Sequence, residues 1–309
     1  MRGEGGFAVA KTVRRARVAW WVALFVLPAL LLYASLVLVP IGIAAALSLF
    51  DWDGSGPMTF IGLENWVTFF GDQDALASVQ RTALLVIASW VVQVPIAMAI
   101  GIYAAGTGRH RAVLSSIFFI PALMSAAAMG VLWGQLFSPV GGGVTYAAEH
   151  FGLFFLSPDW LGDPQLVLAT IVALIAWQYV PFHALLFRAG VSQIPRSIYE
   201  AAAIDGVSGP RRFWSVTLPM LRHTIVTSTI LNIVGSLTIF DLIYVLTQGG
   251  PGQSSRVLAL AQYLEGFTAM RFGYASTLAV VLGALAITFS LIMVRVTGFG
   301  KMKSQAEGV

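Results

Sequence analysis

Long apolar runs separated by short polar segments dominate the sequence. Six of these runs reach the roughly 20 residues that an α-helix needs to cross the hydrocarbon core of a bilayer. They comprise residues 19–50, 82–108, 112–149, 165–187, 224–247 and 272–294. The first and third are long enough to tilt or to continue into segments at the membrane surface. The pattern predicts an all-α integral membrane protein with six transmembrane helices.

The composition supports a membrane protein and removes several kinds of chemistry. Of the 309 residues, 58% are hydrophobic and only 10% are charged, and the mean hydropathy is +0.82. Soluble domains carry about 25% charged residues, so this chain lacks the polar surface of a soluble protein. The sequence has no cysteine, which excludes disulfides, thiolate nucleophiles and zinc sites built on cysteine.

The basic residues predict the orientation of the helices. Fifteen of the 18 lysine and arginine residues precede the first run, separate the second from the third or the fourth from the fifth, or follow the sixth. Basic residues accumulate on the cytoplasmic side of membrane proteins. Both termini and the segment between the fourth and fifth helices are therefore expected in the cytoplasm. This topology accounts for the net charge of +4 without nucleic-acid binding.

A basic segment, KTVRRARVAW, precedes the first apolar run and resembles the start of a signal peptide. The run behind it is far longer than the 7–15 apolar residues of a cleaved signal, so we expect a retained first helix. The predicted organisation is a cytoplasmic tail at 1–18, a six-helix domain at 19–297 and a cytoplasmic tail at 298–309. The three loops on the opposite side are too short for a separate domain.

The most polar, turn-rich segment is SIYEAAAIDGVSGPRRFWSVTLP, which lies on the predicted cytoplasmic side. Ser197 and Glu200 have the spacing of a capping box, in which each side chain binds a free backbone N–H of the other residue. Pro195 prevents an earlier start of this helix. Gly206 is placed to end the helix in a left-handed conformation.

A second short helix is predicted after this turn. Pro210 suits a first helical position, and Pro219 is expected to stop the helix at Leu218. The two helices form a helix–turn–helix at 195–219, here called the elbow, held at both ends by transmembrane helices. Its alanines and glycines leave little side-chain bulk, which suits insertion into a partner's groove. The residues alone fit equally well a solvated connector whose arginines only follow the positive-inside rule.

The elbow carries a family motif. Its parts are Glu200-Ala201-Ala202, then Gly206 after three residues, then Val216-Thr217-Leu218-Pro219 after nine more. This pattern resembles the signature of permease subunits of ATP-binding-cassette importers, with valine in place of isoleucine. Asp205 and Phe213 match additions common in the sugar-permease branch, and TQGGPG after the fifth run is similar to another motif of that branch. The resemblance extends over the whole chain.

The resemblance implies a mechanism and a set of partners. In such importers the elbow docks into a cleft of an ATPase subunit, whose closure on ATP rocks the attached helices and alternates access to the transport cavity. The implied partners are a second homologous permease subunit, two ATP-binding-cassette ATPase subunits and an extracytoplasmic solute-binding protein, assembled in the bilayer of a prokaryotic cell membrane. The residues assigned to coupling are Glu200, Ala201, Ala202, Asp205, Gly206, Arg211, Phe213, Leu218 and Pro219.

The sequence lacks a nucleotide-binding loop of the common type. It contains no Gly-x-x-x-x-Gly-Lys-Ser/Thr segment, and its only lysines are Lys11, Lys301 and Lys303,. ATP and Mg²⁺ are therefore expected on the partner ATPase subunits. This chain is expected to be non-catalytic, with no metal or cofactor of its own and no nucleic-acid partner.

Polar and aromatic residues in the fourth and fifth runs are the candidate substrate contacts, because polar groups inside a membrane usually face a cavity or the bundle interior. In the similar importers, the segment matching WQYVPF and the middle of the next helix line the sugar site. The matching residues are Gln178, Tyr179, Phe182, Asn232, Ser236, Phe240 and Tyr244. Helix–helix packing is the alternative role for each of them.

Two further residues in the runs are ionisable. Asp241 is open to three roles, namely a helix cap, a partner of Arg256 or a contact to a polar ligand. His183 has no second histidine or acid one helical turn away, so a packed side chain is favoured over a metal ligand.

Two rival functions remain open. An ion-coupled secondary transporter or channel usually carries more charges in its helices than Asp241 and His183. The segment GVSG imitates an intramembrane serine protease, but Ser208 is expected in a water-facing elbow without a buried histidine base. The favoured function is the membrane subunit of a binding-protein-dependent importer for a carbohydrate or polyol.

Overall fold

The computed structural model describes residues 24–106, 108–156 and 158–297, so the two predicted tails and residues 19–23 lie outside the described ranges. A two-stranded antiparallel hairpin pairs β1, Phe50–Asp51, with β2, Thr59–Phe60. The helices are α1 Leu24–Leu47, α2 Glu64–Gly71, α3 Gln73–Ala104, α4 Arg109–Phe119, α5 Ala126–Leu136, α6 Gly143–Phe151, α7 Val167–Ser192, α8 Arg196–Ile204, α9 209–220, α10 Arg222–Thr238, α11 Asp241–Thr247, α12 Leu258–Tyr263 and α13 Phe272–Thr297. Helix α9 joins Gly209–Arg212, a π-helical turn at Phe213–Thr217 and Leu218–Met220.

Four helices, α1, α3, α7 and α13, are each long and apolar enough to cross a membrane. Two more candidates are bent pairs. Helix α4 with the following 3₁₀ turn meets α5 at 96°, and α10 meets α11 at 46°. The described chain thus has four candidate spans, or six if each bent pair counts as one. The third apolar run, 112–149, is divided among the separate helices α4, α5 and α6.

The local sequence indicates the break between α4 and α5 but not the break between α10 and α11. After α4, Pro121 begins a 3₁₀ turn, and the hydroxyl of Ser125 accepts the N–H of Ala128 at 3.2 Å to cap α5,. Between α10 and α11, Ile239 takes an extended conformation with φ −72° and ψ 121°, although no proline or glycine lies within three residues of it. Proline does not interrupt α7, which runs through Pro181.

The centre of the bundle is the pair α3 and α7, with α10 packed against both. Gly101 allows the pair to approach closely, because a β-carbon there would lie 2.6 Å from the Ala184 carbonyl oxygen and 2.6 Å from Cβ of Phe187. Small residues at helix contacts are typical of membrane proteins. Helix α1 is the contrast: it packs on α13, yet none of its residues is buried. Its apolar surface suits lipid.

The hairpin is tied to the bundle at the end opposite the elbow. The side-chain amide of Asn65 in α2 donates to the carbonyl oxygens of Ser48 at 3.0 Å and Phe50 at 2.9 Å. Asn65 is only 9% exposed, so these bonds satisfy backbone groups that the α1–β1 junction leaves unpaired. The helices at this end are therefore fixed by polar contacts.

Candidate coupling elbow and transport site

The first arm of the elbow is α8. It begins at Arg196 with Pro195 as the residue before it, and no side chain caps it. The predicted capping box is therefore wrong. Pro195 itself takes the non-helical conformation, with φ −58° and ψ 136°, which moves the start two residues earlier and leaves Ser197 inside the first turn. Glu200 is exposed and pairs with no described residue.

The turn of the elbow is built on Gly206, as predicted. Its φ is +71°. The N–H of Val207 donates to the Ala202 carbonyl at 2.8 Å, and the N–H of Gly206 donates to the Ala203 carbonyl at 3.1 Å. These two bonds form a Schellman motif. A β-carbon at position 206 would meet no atom within 4 Å, so backbone conformation alone calls for glycine here.

The second arm, α9, passes beyond Pro219, so the predicted stop at Leu218 is wrong. At the π-helical turn, the N–H of Leu218 donates to the carbonyl of Phe213, five residues back. The wider turn gives the ring of Pro219 room that a regular α-helical turn lacks. The arm ends at Leu221, which is fully buried in the bundle.

One side of the elbow packs on the chain's own helices. Ala202 is 8% exposed, and Tyr199 lies against the core that contains Leu221. The Tyr199 hydroxyl lies 3.4 Å from the Thr217 hydroxyl, and the Arg212 guanidinium lies 5.8 Å from the centre of the Tyr199 ring. These contacts join the two arms. Ala202 thus supports the elbow from within and does not face outward with its neighbours.

The other side of the elbow faces away from the bundle. It carries Glu200, Ala201 and Ala203, together with two apolar residues that the sequence analysis did not select. Ile204 is 87% exposed and Trp214 is 66% exposed. In the sequence, Ile204 stands out only as an apolar residue directly before the Asp-Gly turn. The structure thus brings a carboxylate, two small residues and an isoleucine to one tip.

The seven candidate substrate residues do not form one pocket in the single chain. Gln178, Asn232 and Ser236 are buried, at 4%, 3% and 5% exposure, whereas Tyr179 and Phe182 lie on an exposed face of α7. A third group is aromatic: the rings of Phe240 and Tyr244 lie 5.1 Å and 5.2 Å from the ring of Tyr263. Tyr263 lies after the end of the fifth run, so it is not among the predicted substrate contacts.

Buried polar groups mark the interior of the bundle. The side-chain nitrogen of Gln178 donates to the carbonyl of Met124 at 2.9 Å, at the break between α4 and α5. Its oxygen has no hydrogen-bond partner in the part of the chain that the structure describes. The same holds for one side-chain atom in each of a further set, Ser89, Gln93, Trp133 and Asn232. Leaving such a group unpaired costs about 1–3 kcal/mol. Ser89 and Gln93 lie one turn apart on α3, so they share one face of that helix.

The two ionisable residues have local roles. His183 is buried, and its Nδ1 lies 2.9 Å from the Ser228 hydroxyl, which makes it a packed side chain between α7 and α10. Asp241 is exposed and accepts the N–H of Leu242 at 2.9 Å. It does not pair with Arg256. Within the described ranges no cluster of three or more potential metal ligands occurs, and no histidine lies within hydrogen-bonding distance of Ser208.

Charged residues clamp the end opposite the elbow. Glu265 accepts from Arg256 at 2.8 Å and also pairs with Arg271. Asp72 caps α3 and accepts the hydroxyl of Tyr274 at 2.9 Å. Partial burial opposes ionisation of Asp72, but these hydrogen bonds, the one from Ala75 N–H foremost, hold its pKa below the usual value,.

Comparison with known proteins decides the family. The model of a family described as binding-protein-dependent transport system inner membrane component matches residues 97–298, which include the whole elbow and both bent pairs. The chain belongs to this family. The motif-based resemblance is thereby confirmed.

Family members are similar over nearly the full chain. The probable ABC transporter permease protein YurN of Bacillus subtilis is 30% identical, covering 90% of this chain and 96% of the relative. The diacetylchitobiose uptake system permease protein NgcF of Streptomyces coelicolor is 30% identical, covering 98% and 90%. A solved bacterial alginate ABC transporter, in complex with an alginate pentasaccharide-bound periplasmic protein, has a chain of the same fold. Its TM-score is 0.78 at 18% identity, with 91% of this chain and 95% of that chain covered.

Proposed function

We propose that this protein is the transmembrane permease subunit of an ATP-driven, binding-protein-dependent importer for a carbohydrate or polyol-type solute. The observation that carries the proposal is the elbow. A family motif folds into a Schellman-capped projection, one side of which packs on its own bundle while its tip is exposed. A projection anchored by two long helices is suited to transmit a displacement from a partner into the membrane. The name of the relative NgcF supports a sugar as the solute.

We infer that the elbow end lies in the cytoplasm. Five exposed arginines cluster there, in contrast to the acids that cap and clamp the opposite end. They are Arg188, Arg196, Arg211, Arg212 and Arg222. Positive charge on the cytoplasmic side is the general rule for multi-pass proteins. The opposite end, with its hairpin and charged clamp, then faces the solute-binding protein. A second homologous permease and two ATPase subunits, which hold ATP and Mg²⁺, complete the proposed assembly.

The proposed coupling contact uses the tip of the elbow. Glu200 is free to meet a basic residue of the ATPase, and Ile204 offers an apolar side chain that gains from burial in a cleft. Ala201 and Ala203 permit close approach. Ala202 acts from the inner side, where it fixes the tip on the bundle, and Gly206 with Asp205 shapes the turn. Arg211, Phe213, Leu218 and Pro219 belong to the second arm.

The proposed solute path runs past the buried polar groups of α7 and α10. The unpaired oxygens of Gln178 and Asn232 accept hydrogen bonds, and sugar hydroxyls donate them,. In the described conformation these residues are shielded from solvent. Separation of the helices would expose them together with the aromatic faces of Tyr179 and Phe182. Such an arrangement suits sugar rings, for which aromatic surfaces and a few polar groups suffice.

The test uses the complex purified from its native membrane and reconstituted in vesicles. Glu200→Ala is expected to reduce ATPase-subunit binding and ATP-driven uptake by roughly tenfold, the loss expected for one partner of an interfacial charge pair. Ser197→Ala, on the same helix and equally exposed, is expected to change neither. Membrane insertion should be normal in both variants. Solute uptake by the chain alone, driven by an ion gradient without ATP, would contradict the proposal.

A further inference from the structure

An apolar groove follows the surface of the bundle between α3, α4 and α7. Its larger part has a volume of about 620 Å³, within the roughly 300–1,000 Å³ typical of small-molecule sites. Ile96, Ile100, Phe118, Trp177 and Pro181 contribute to its walls. The groove therefore offers a long hydrocarbon surface and almost no hydrogen-bonding groups.

The groove continues toward the elbow end and becomes cationic there. A second cavity of about 310 Å³ shares Ile100 and Phe118 with the first and is also lined by Arg111 and Tyr103. A third, small cavity beside it is lined by Arg188. Two arginines thus stand at the end of a hydrocarbon groove, near the ends of α3 and α7 on the elbow side.

The guanidinium of Arg111 is held in place but lacks an anionic partner. It lies 4.9 Å from the centre of the Tyr103 ring, and its Nε is buried without a hydrogen-bond partner among the described residues. Gly106 leaves the space that this guanidinium occupies, since a β-carbon there would overlap it. Within the described ranges no carboxylate lies within ion-pairing distance of Arg111 or Arg188. A positioned, unpaired cation favours a ligand with negative charge.

We propose that this groove binds an anionic phospholipid from the leaflet on the elbow side. An acyl chain fills the apolar part, and the headgroup phosphate contacts Arg111, with Arg188 as the second cation. A hydroxylated solute does not fit the groove, because its hydroxyls would lose their hydrogen bonds there. Charge complementarity distinguishes the lipid from a helix of another subunit, which would have to bring its own acid to the rim.

The site gives the lipid a position from which it acts on transport. The groove is bounded on one side by α7, which leads directly into the elbow, and on another by α4, which precedes the 96° break. A bound lipid therefore contacts both elements and fills the space between them. We expect occupancy to stabilise the spacing of α4 and α7 that the structure has.

Native mass spectrometry of the complex, extracted from its own membrane, measures the binding. The probes are phosphatidylglycerol and phosphatidylcholine with identical acyl chains. The wild type should retain phosphatidylglycerol in preference. Arg111→Gln should weaken that binding about fivefold, the factor for one cation near an anionic headgroup. The matched control is Arg109→Gln, because Arg109 is exposed at the same end but does not line the groove.

A second variant separates the contribution of the apolar groove to lipid binding from the contribution of the Arg111 charge. Ala173 is exposed and lines the large cavity, so Ala173→Trp should fill it and displace both lipids while Arg111 stays in place. Equal retention of the two lipids by the wild type would overturn the proposal. Equal weakening by the two arginine substitutions would also overturn it. Ile117 lines the large cavity as well, so a cross-link from Ile117→Cys to a second permease subunit would mean that this subunit, and not lipid, covers the groove.

Discussion

The substitution Gly206→Ala tests whether the elbow needs a left-handed backbone conformation at residue 206, without changing any side-chain contact. Residue 206 has φ +71°, and a β-carbon there would meet nothing within 4 Å. The added methyl therefore causes no clash and breaks no contact. Its whole effect is the cost of holding an L-residue in the left-handed region, roughly 1–2 kcal/mol.

That cost has a defined consequence for coupling. Gly206→Ala lowers the fraction of free elbows that hold the turn which the ATPase subunit is proposed to bind, so the penalty appears as weaker binding. A loss of one or two kcal/mol corresponds to a factor of about 5–30. Gly206→Asn should recover most of the loss, because asparagine visits the left-handed region more readily than alanine.

Gly235 provides the matched control. It lies in α10, a β-carbon there would likewise meet nothing within 4 Å, and its φ is not left-handed. Gly235→Ala adds the same methyl but should stabilise its helix by about 0.5–1 kcal/mol. The assay is equilibrium binding of the labelled ATPase subunit to reconstituted vesicles. Wild-type affinity in G206A, or equal weakening in G235A, would refute the reasoning.

Three further substitutions test the local interpretation of the fold. Ser197→Ala should change the free energy of unfolding by less than about 0.5 kcal/mol, and so hardly shift the melting temperature, because this hydroxyl caps no helix. A loss above about 1 kcal/mol would instead support the capping box. Asn65→Leu removes the donor from the carbonyls of Ser48 and Phe50 and should lower the apparent free energy of unfolding by about 2 kcal/mol, measured by chemical denaturation in detergent; an unchanged midpoint would contradict this. Asp72→Asn should lower the melting temperature at pH 7, and the difference should vanish in acid. The folded-state pKa of the Asp72 carboxyl lies below its ordinary 3.8. The ionised carboxylate therefore stabilises the fold above pH 3.8, and this contribution is lost as the pH falls through the folded-state pKa. A difference in melting temperature that does not depend on pH would contradict this explanation.

Hydrophobic length predicted the membrane-crossing helices well, but it did not predict how some of them break. Runs around α3, α7 and α13 appear as long helices, and neither Pro95 in α3 nor Pro181 in α7 ends its helix. Pro121 and Ser125 offered a visible signal for the break after α4. The break at Ile239 has no such signal, because tertiary packing sets it, with the neighbouring Leu237 and Leu242 both fully enclosed by other helices.

The elbow illustrates the same division. Gly206 could be predicted because the need for a left-handed residue is local and glycine meets it. The capping-box prediction was wrong although Ser197 and Glu200 have the correct spacing. Pro195 is the residue before the helix, so Ser197 lies inside the first turn and not ahead of it. Which alanine points inward is a tertiary property: Ala202 meets the bundle, whereas Ile204 projects into solvent. Composition and periodicity carry no information about that direction.

The buried polar groups were only partly predictable for a related reason. Gln178 and Asn232 were predicted because polar groups inside a membrane usually face a cavity or the bundle interior, and because they match the sugar-lining segments of similar importers. Ser89 and Gln93 were not, although both are almost fully buried. Their place in the interior depends on the orientation of α3 against α7. That orientation follows from close approach at Gly101, which the sequence of α3 alone does not reveal.

Contact between the elbow and an ATPase subunit is tested most directly by site-specific cross-linking. The native sequence contains no cysteine, so Ala203→Cys places a single thiol on the exposed tip, and Ser55→Cys places one at the opposite end as the control. In the complex purified from its native membrane, the elbow thiol should link to an ATPase subunit and the control thiol should not. A tip thiol that links only to lipid or to this chain's own bundle, in an assembly that still hydrolyses ATP, would contradict the account.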